Sequence, residues 1–408
     1  MTTTGGGLSS QGMLRLLAVF LTLLAAPVSA DFETWLERTA RPAAEAEGVS
    51  RQTFNALTRG LTPDFDLPGL SRSGAVPPTD SQAEFSAPAR YFNEANLQSL
   101  AARGRALGQK HATLLQRIER ETGVPGRIIL AIWGRESAYG RATIPHDALQ
   151  VLATRGYAGT RRAFFTGEFA KALRISQATG LTLRASWGGA MGQPQFLPSS
   201  YLAHARDGDG DGRIDIWGSE EDTLASIAGY LQDKGWVAGS DWGYEIRLPP
   251  ALTCTVNGPD QARQILEWEE AGVTRVTGRP FPENERRVDG FLVLPAGTEG
   301  PAFVATQNFS VLKAYNESDL YALFVGNLAD RIAYGAPAFR AGWGRADDMT
   351  RGEIARMQER LVAQGYDVGG ADGLVGNKTR RAIGLWQAAR GQRATCFPTA
   401  AIVAAILD

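Results

Sequence analysis

Val124-Pro125-Gly126-Arg127-Ile128-Ile129-Leu130-Ala131-Ile132-Trp133-Gly134-Arg135-Glu136-Ser137 is the stretch on which the reading of this chain turns. Proline stands in the first turn, where its missing N–H costs little, and Ile128 to Trp133 offers no charged face, so the segment is expected to form a helix buried on most sides. Glu136 is thereby carried toward the interior. Its neighbours at i±3 and i±4 are Trp133, Ile132, Tyr139 and Gly140, while Arg135 projects about 100° away around the axis. A carboxyl so placed is desolvated, which lifts its pKa above the usual value of about 4.3, each unit being worth about 1.4 kcal/mol. It would then hold a proton near neutral pH, as a general acid must when an ether or glycosidic oxygen leaves. The plain alternative is a glutamate turned to solvent where the helix ends. The rest of the chain decides between them.

Residues 1–30 read as a secretory signal, with Arg15 ahead of the apolar run Leu16 to Ala26 and small residues at Val28-Ser29-Ala30 for cleavage. The run is too short to span a bilayer core of about 30 Å, and no cysteine follows it for lipid attachment. A soluble periplasmic product without a membrane anchor is expected. The remaining 380 or so residues suffice for two or three domains, and 44% hydrophobic with 21% charged residues is ordinary for globular folds. A net charge of −1 gives no support for binding nucleic acid, whose affinity rests on phosphate neutralisation. Cys254 and Cys396 lie far apart, in what read as different domains, so the expectation is two unbridged cysteines.

The pattern along the chain is mainly helical. Phe32, Trp35 and Leu36, then Phe54 and Leu57, fall at helical spacing with a capped restart at Val49-Ser50, and these aromatics read as core. Residues 62–89, rich in Pro, Ser and Gly, read as a long surface loop. Helices follow over 96–121, over 147–154 with a cap near Asp147, over 161–177 and over 224–235. None of the three histidines falls at metal-ligand spacing, and His146 reads as structural. From about 242 to 305 the character changes to a small α/β lobe, with strands expected at Tyr244 to Leu248 and Gly290 to Leu294. Helices return over 311–334.

Ser186 to Tyr201, S-W-G-G-A-M-G-Q-P-Q-F-L-P-S-S-Y, combines glycines that let another body approach the backbone with Met191, Gln193, Gln195 and Phe196, a mixture of flat apolar surface and amides. Sugars bind such mixtures, although a packing turn between helices would share the composition. Asp207-Gly-Asp209-Gly-Asp211-Gly212-Arg213-Ile214-Asp215 follows the order of an EF-hand loop: acids at positions one, three, five and nine, glycine at six and a carbonyl at seven. Position twelve is Gly218, with Glu220, Glu221 and Asp222 just beyond, so a slightly extended loop is expected. Four like charges within nine residues repel unless a cation sits among them, which favours calcium over a solvated acidic turn.

With these stretches in one order, together with Y-N-E-S-D-L-Y-A at 315–322, the chain from Asp31 to Gly342 resembles the membrane-bound lytic murein transglycosylase B family, whose core is lysozyme-like. The resemblance implies Glu136 as sole catalytic acid/base and a glycan groove lined by Ser186, Gln195, Phe196, Tyr230, Tyr315, Asn316 and Tyr321, with Tyr157 a further lining residue. It also implies structural calcium on Asp207, Asp209, Asp211 and the Arg213 carbonyl, closed by Asp222 or by its rival Glu221. Where the family often has Gly-Tyr-Gly, this chain has Gly192-Gln193-Pro194. Residues 349–408 carry helical stripes around Asp372-Gly373, and M-Q-x-x-L-x-x-x-G-Y…D-G-x-x-G-x-x-T-x-x-A-x-x-x-W-Q resembles the common three-helix peptidoglycan-binding domain. Eight Lys/Arg against five Asp/Glu there suit the carboxylates of stem peptides, and a helical tail packed on the enzyme is the alternative.

Glycoside hydrolases normally use two carboxylates. The motifs here offer one, because the acids of 207–222 belong to the ion loop and Asp147 is explained by capping. The family's chemistry is coherent with that: Glu136 protonates the bond between N-acetylmuramic acid and N-acetylglucosamine, and the muramic C6 hydroxyl closes a 1,6-anhydro ring. A muramidase that hydrolyses the same bond, or an inactive peptidoglycan-binding protein, are the other readings.

Overall fold

The computed structural model describes residues 1–2, 26–70, 88–344, 347 and 349–408. Most of the expected leader and of the 62–89 loop therefore lies outside the described residues, as do positions 345, 346 and 348 between the two regions expected at 31–342 and 349–408. Among the described residues no helix is long and apolar enough to cross a membrane. The chain divides into two compact units, one of residues 1–77, 144–191 and 197–202, the other of residues 78–143, 192–196 and 203–408.

The first unit is helical, with α1 (Ala26–Trp35), α2 (Arg41–Ala46) and α3 (Arg51–Thr58), then α7 (Ala148–Ala158), α8 (Arg162–Thr179) and α9 (Pro198–His204), whose last two residues pass into the other unit. The Ser50 hydroxyl accepts the Thr53 N–H and so starts α3; Asp147 does the same for α7 through the Gln150 N–H. Phe32 and Phe54 are buried, as their spacing requires. His146 lies in the two-residue strand β1 (His146–Asp147), antiparallel to β2 (Arg184–Ala185).

In the second unit α4 (Glu94–Lys110), α5 (Ala112–Thr122), α10 (Glu220–Asp233), α12 (Gln307–Asn316) and α13 (Asp319–Tyr334) accompany the oily helix, α6 (Gly126–Ser137). Ile128 to Gly134 of α6 are all buried, so the missing charged face is matched by protein on nearly every side. Pro125 stands one position earlier than expected, as N-cap. The single helix expected over 96–121 is broken at His111, whose ring Nε2 lies 2.6 Å from a Glu220 carboxylate oxygen. α10 starts at 220 rather than 224, because the Ser219 hydroxyl accepts the Asp222 N–H and three acids occupy the first turn, where the helix dipole favours them.

The small lobe is a five-stranded antiparallel sheet in the order β4 (Arg263–Gln264), β6 (Asp289–Val293), β7 (Ala302–Ala305), β3 (Gly243–Arg247), β5 (Thr274–Arg275). Leu292 pairs with Val304 and Val304 with Tyr244, and these residues join Trp268 of α11 (Ile265–Glu270) in one core. Three helices close the chain, α14 (Arg351–Ala363), α15 (Asn377–Ala388) and α16 (Ala400–Leu407), around Met357, Leu361, Ile383 and Trp386.

The expectation of two unbridged cysteines is corrected: Cys254 and Cys396, 142 residues apart, form a disulfide. The chain folds back so that the turn Cys254–Val256 abuts the segment after α15, a proximity that sequence distance conceals. Beside it the Thr298 N–H donates to the Thr395 carbonyl at 3.0 Å, and Arg381 pairs with Asp260 at 2.6 Å.

Candidate active site

Glu136 sits on the last turn of α6. That turn ends unusually, with Ala138 and Tyr139 both in the left-handed region at φ 49° and 62°, a conformation non-glycine residues rarely hold and one that recurs where side-chain placement matters. The reversal folds the Tyr139 ring back over the helix. A Cβ at position 134 would lie 2.7 Å from that ring, so only glycine fits before Arg135-Glu136.

The Tyr321 hydroxyl, from the first turn of α13, donates to a Glu136 carboxylate oxygen at 2.6 Å. Tyr321 is itself fully buried and stacks on Tyr315, ring centroids 6.0 Å apart and planes at 12°. Tyr315 in turn meets Tyr230 at 4.7 Å and Phe196 at 6.1 Å. The Tyr315 and Tyr230 hydroxyls donate to the carbonyls of Pro194 and Ala314. The Tyr321 that touches the carboxyl is thus backed by a cluster of three further aromatics, the four drawn from three stretches of sequence.

Glu136 is half-buried by surface area, and the crowding around its carboxyl removes the water that would stabilise a charge. Burial raises its pKa to about 7, against the opposing pulls of the Tyr321 hydrogen bond and the Arg135 charge. Arg135 is held away over the Tyr91 ring, 4.4 Å from its centroid, and donates to the Tyr91 hydroxyl. Burial and the nearby Glu136 charge also push the hydroxyls of Tyr315 and Tyr321 well above the ordinary tyrosine range, so both remain donors at any physiological pH.

Of the other residues singled out from sequence, Gln195 lies in the left-handed region at φ 56° and its amide donates to the Gly192 carbonyl. Asn316 is exposed at the end of α12. Ser186 and Tyr157 belong to the first unit. There the Ser186 N–H donates to the Ala190 carbonyl in a tight turn, and the Tyr157 ring packs against Phe32 at 5.3 Å and Trp35 at 6.1 Å. The open apolar and amide surface expected of Met191 and Gln193 is corrected: both are buried. Gln193 accepts the Trp133 indole N–H at 2.8 Å and donates to the Trp217 carbonyl at 3.0 Å, tying the loop after Gly192 to α6. Sequence reasoning missed this link and the Tyr91 contact, since neither residue carries a local signal.

In the acidic loop the carboxylates of Asp207, Asp209 and Asp211 each offer an oxygen within 4.8 Å of the others. Backbone donors fix them: Gly210 and Gly212 N–H on Asp207, Asp211 N–H on Asp209, Arg213 N–H on Asp211. Asp222 is 1% exposed and accepts the Gly208 and Asp215 N–H groups at 2.7 and 2.6 Å. Burial raises its pKa, and the Asp209 charge adds to the rise. Glu221 instead faces His111, 3.5 Å from its Nδ1. Three exposed carboxylates gathered this closely, with the buried Asp222 near enough to feel the Asp209 charge, fit a cation with oxygen ligands.

Residues 31–330 match the transglycosylase SLT domain, and residues 350–406 a putative peptidoglycan binding domain. The chain is 34% identical over 224 residues to membrane-bound lytic murein transglycosylase B of Escherichia coli, a match covering 54% of this chain and 60% of that relative. It resembles the crystal structure of SltB3 from Pseudomonas aeruginosa in complex with NAG-anhNAM-pentapeptide, at a TM-score of 0.82 and 34% identity over 92% of this chain and 99% of that one. The Escherichia coli lytic transglycosylase Slt35 in complex with calcium aligns at a TM-score of 0.59 and 26% identity, covering 75% of this chain and 93% of that one. With a single desolvated acid at the end of an oily helix and these likenesses along nearly its whole length, the chain belongs to the lytic murein transglycosylase family and carries a C-terminal peptidoglycan-binding domain.

Proposed function

We propose that this protein cleaves the β-1,4 bond between N-acetylmuramic acid and N-acetylglucosamine in peptidoglycan without water, leaving 1,6-anhydro-muramic ends, and that Glu136 alone is the acid and base. The observation that carries the reading is the Glu136 carboxyl, held near a pKa of about 7 by burial and touched by Tyr321. At neutral pH both its forms are accessible, so one group can give a proton and take one back. Protonated, it donates to the glycosidic oxygen as the bond to C1 breaks. Ionised, it takes the C6 hydroxyl proton while that oxygen bonds to C1. Proton and bond counts return to their start. The Tyr321 hydroxyl, fixed in place by burial, steadies the ionised form between the two steps. A hydrolase would need a second carboxylate as nucleophile or water activator, whereas the side chain that hydrogen-bonds to the Glu136 carboxyl among the described residues is the Tyr321 hydroxyl.

The groove is assigned to Gln195, Phe196, Tyr230, Tyr315, Asn316 and Tyr321, with Ser186 and Tyr157 as further sugar contacts. Phe196, Tyr230 and Tyr321 are almost wholly buried, so they shape the wall beneath the acid, while exposed Asn316 is free to meet substrate. A structural calcium would be held by Asp207, Asp209, Asp211, the Arg213 carbonyl and Asp222, and would offset their mutual repulsion. Support for Asp222 over Glu221 is its burial within the loop while Glu221 faces His111. Residues 31–342 form the catalytic region, with the small lobe at about 242–305, and 349–408 a three-helix wall-binding module. The place of action is the periplasm, reached through a cleaved leader at 1–30; the Cys254–Cys396 disulfide suits an oxidising compartment.

Mass spectrometry of digested murein tests the reaction: anhydro products, lighter by one water than reducing ends, are expected. Reducing ends would make the protein a muramidase, and undigested sacculi a binding protein only.

A further inference from the structure

Helices α6 and α13 lie antiparallel, the end of one beside the start of the other, and each brings one half of the Glu136–Tyr321 hydrogen bond. Nine residues back along α6 is Arg127, and nine residues on along α13 is Asp330; there the Arg127 guanidinium donates to an Asp330 oxygen at 2.6 Å. At a rise of about 1.5 Å per residue both spans are about 13.5 Å, so the two links tie the pair at matched distances. Among the described residues these are the two side-chain hydrogen bonds that run directly between the helices. Ile128 to Gly134 of α6 and Ala322 to Gly326 of α13, which lie between the links, are buried and apolar. Apolar contact has no direction, whereas a hydrogen bond weakens steeply with distance and angle.

Arg127 is built into the fold rather than laid on its surface. Its side chain is 12% exposed, and its other terminal nitrogen donates to Asp241 at 2.8 Å. Asp241 is held in turn, its backbone N–H donating to the buried Glu285 at 2.6 Å and its carboxylate accepting the Trp242 N–H at 2.8 Å. The Trp242 indole N–H donates to the second Asp330 oxygen at 3.2 Å, and a Cβ at Gly326 would lie 2.4 Å from the Trp242 ring, so α13 packs flush against it. Burial raises the Asp330 carboxyl above its ordinary range; Arg127, Trp242 and Arg275 oppose that and Asp241 adds to it. In either protonation state an oxygen of Asp330 remains to accept from Arg127.

We propose that Arg127 is a positioning residue for the reaction: forked between Asp330 and Asp241, it fixes the axial register of α6 against α13 and thereby the hydrogen bond between Tyr321 and Glu136 at the far end. The inference rests on the reading of Glu136 as acid and base, and gives a residue remote from the sugar groove a share in setting the proton affinity of that acid. A slip of about 1 Å between the helices would stretch the 2.6 Å contact to the limit of a hydrogen bond. Glu136 would lose a partner of its ionised form and hold its proton to higher pH. Withdrawing the Asp330 charge acts through space in the opposite sense, since one fewer negative charge lowers the pKa of a carboxyl, so the two effects differ in sign. Arg135 and Tyr315, which also interact with Glu136, are untouched by the changes below.

The titration midpoint of Glu136 is read without activity, from thermal melts of the full chain against its Glu136→Gln counterpart over about pH 4 to 9: their difference in stability changes through the Glu136 pKa, and the titration of Asp330 itself cancels. Asp330→Ala should move that midpoint upward by about half a unit or more, a fraction of what a hydrogen bond to a charged group is worth. Asp330→Asn, whose amide oxygen can still accept from Arg127, should not. Tyr321→Phe should raise the midpoint at least as far, and Asp330→Ala added to it should raise it no further, because the bond it acts through is already gone. Should Asp330→Ala not fold, Arg127→Lys serves: one ammonium does not fork across Asp330 and Asp241, and an upward shift is again expected. An unmoved or lowered midpoint in Asp330→Ala or Arg127→Lys, a shift in Asp330→Asn as large as in Asp330→Ala, or a shift that adds in full to that of Tyr321→Phe overturns the proposal. If the midpoint moves as expected while the alkaline fall of murein digestion stays in place, the register inference holds and the reading of Glu136 fails instead.

Discussion

Ionising Glu136 costs the fold the desolvation of a carboxylate that the Tyr321 hydrogen bond and the Arg135 charge offset only in part. Its folded pKa of about 7 lies above the ordinary 4.5, so the folded state binds the extra proton and stability falls as pH rises through that window. Below pH 4.5 the penalty is absent. Glu136→Gln removes it, and should stabilise the protein at pH 8 by on the order of 1–3 kcal/mol, after allowance for partial exposure, with no gain at pH 4. The same variant should lose about 10²–10⁴-fold in turnover, the usual worth of a general acid. Thermal melts at both pH values, alongside murein digestion, check the two halves; near-normal turnover would remove Glu136 from its role. Tyr321→Phe makes a separate test. Its hydrogen bond lowers the Glu136 pKa, so its loss should move the alkaline fall of the activity profile to higher pH.

Helix α6 depends on the absence of side chain at Gly134, against which Tyr139 is folded. Gly134→Ala forces the two apart, an overpacking expected to cost about 1–3 kcal/mol and to lower activity by displacing the turn that carries Glu136. Circular dichroism melts and a murein assay measure both. In the acidic loop, calcium at a hundred times its Kd should stabilise by about 2.7 kcal/mol. Asp222→Asn should abolish most of that gain, because the buried carboxylate is then neutral. A melt unchanged by chelator would remove calcium from the account. At this scale the sequence was most legible: an apolar run announces its own burial, and Ser50 and Asp147 announce the helices they cap. The break at His111 was not legible, since its cause is Glu220, 109 residues away.

For the molecule as a whole, long-range closure is what the sequence conceals. The Tyr321–Glu136 hydrogen bond spans 185 residues and the Cys254–Cys396 bridge 142, and no local pattern marks either partner. The aromatics around Glu136 could be gathered only by resemblance, whereas the acid itself followed from the oily helix bearing it. Cys254→Ser with Cys396→Ser should cost about 2–5 kcal/mol, as loss of a native disulfide commonly does, and calorimetry of the paired variants measures it.

The bridge also bears on how this enzyme would fare among the proteases that share its surroundings. Its two sulfurs close residues 254 to 396 into a ring, so one nick anywhere inside that ring opens the backbone without freeing either fragment. On a gel the clipped protein would run as a single band until a thiol is added, and then as two. The wall-gripping end would stay fastened to the cutting end through damage that would part them in a chain joined by peptide alone.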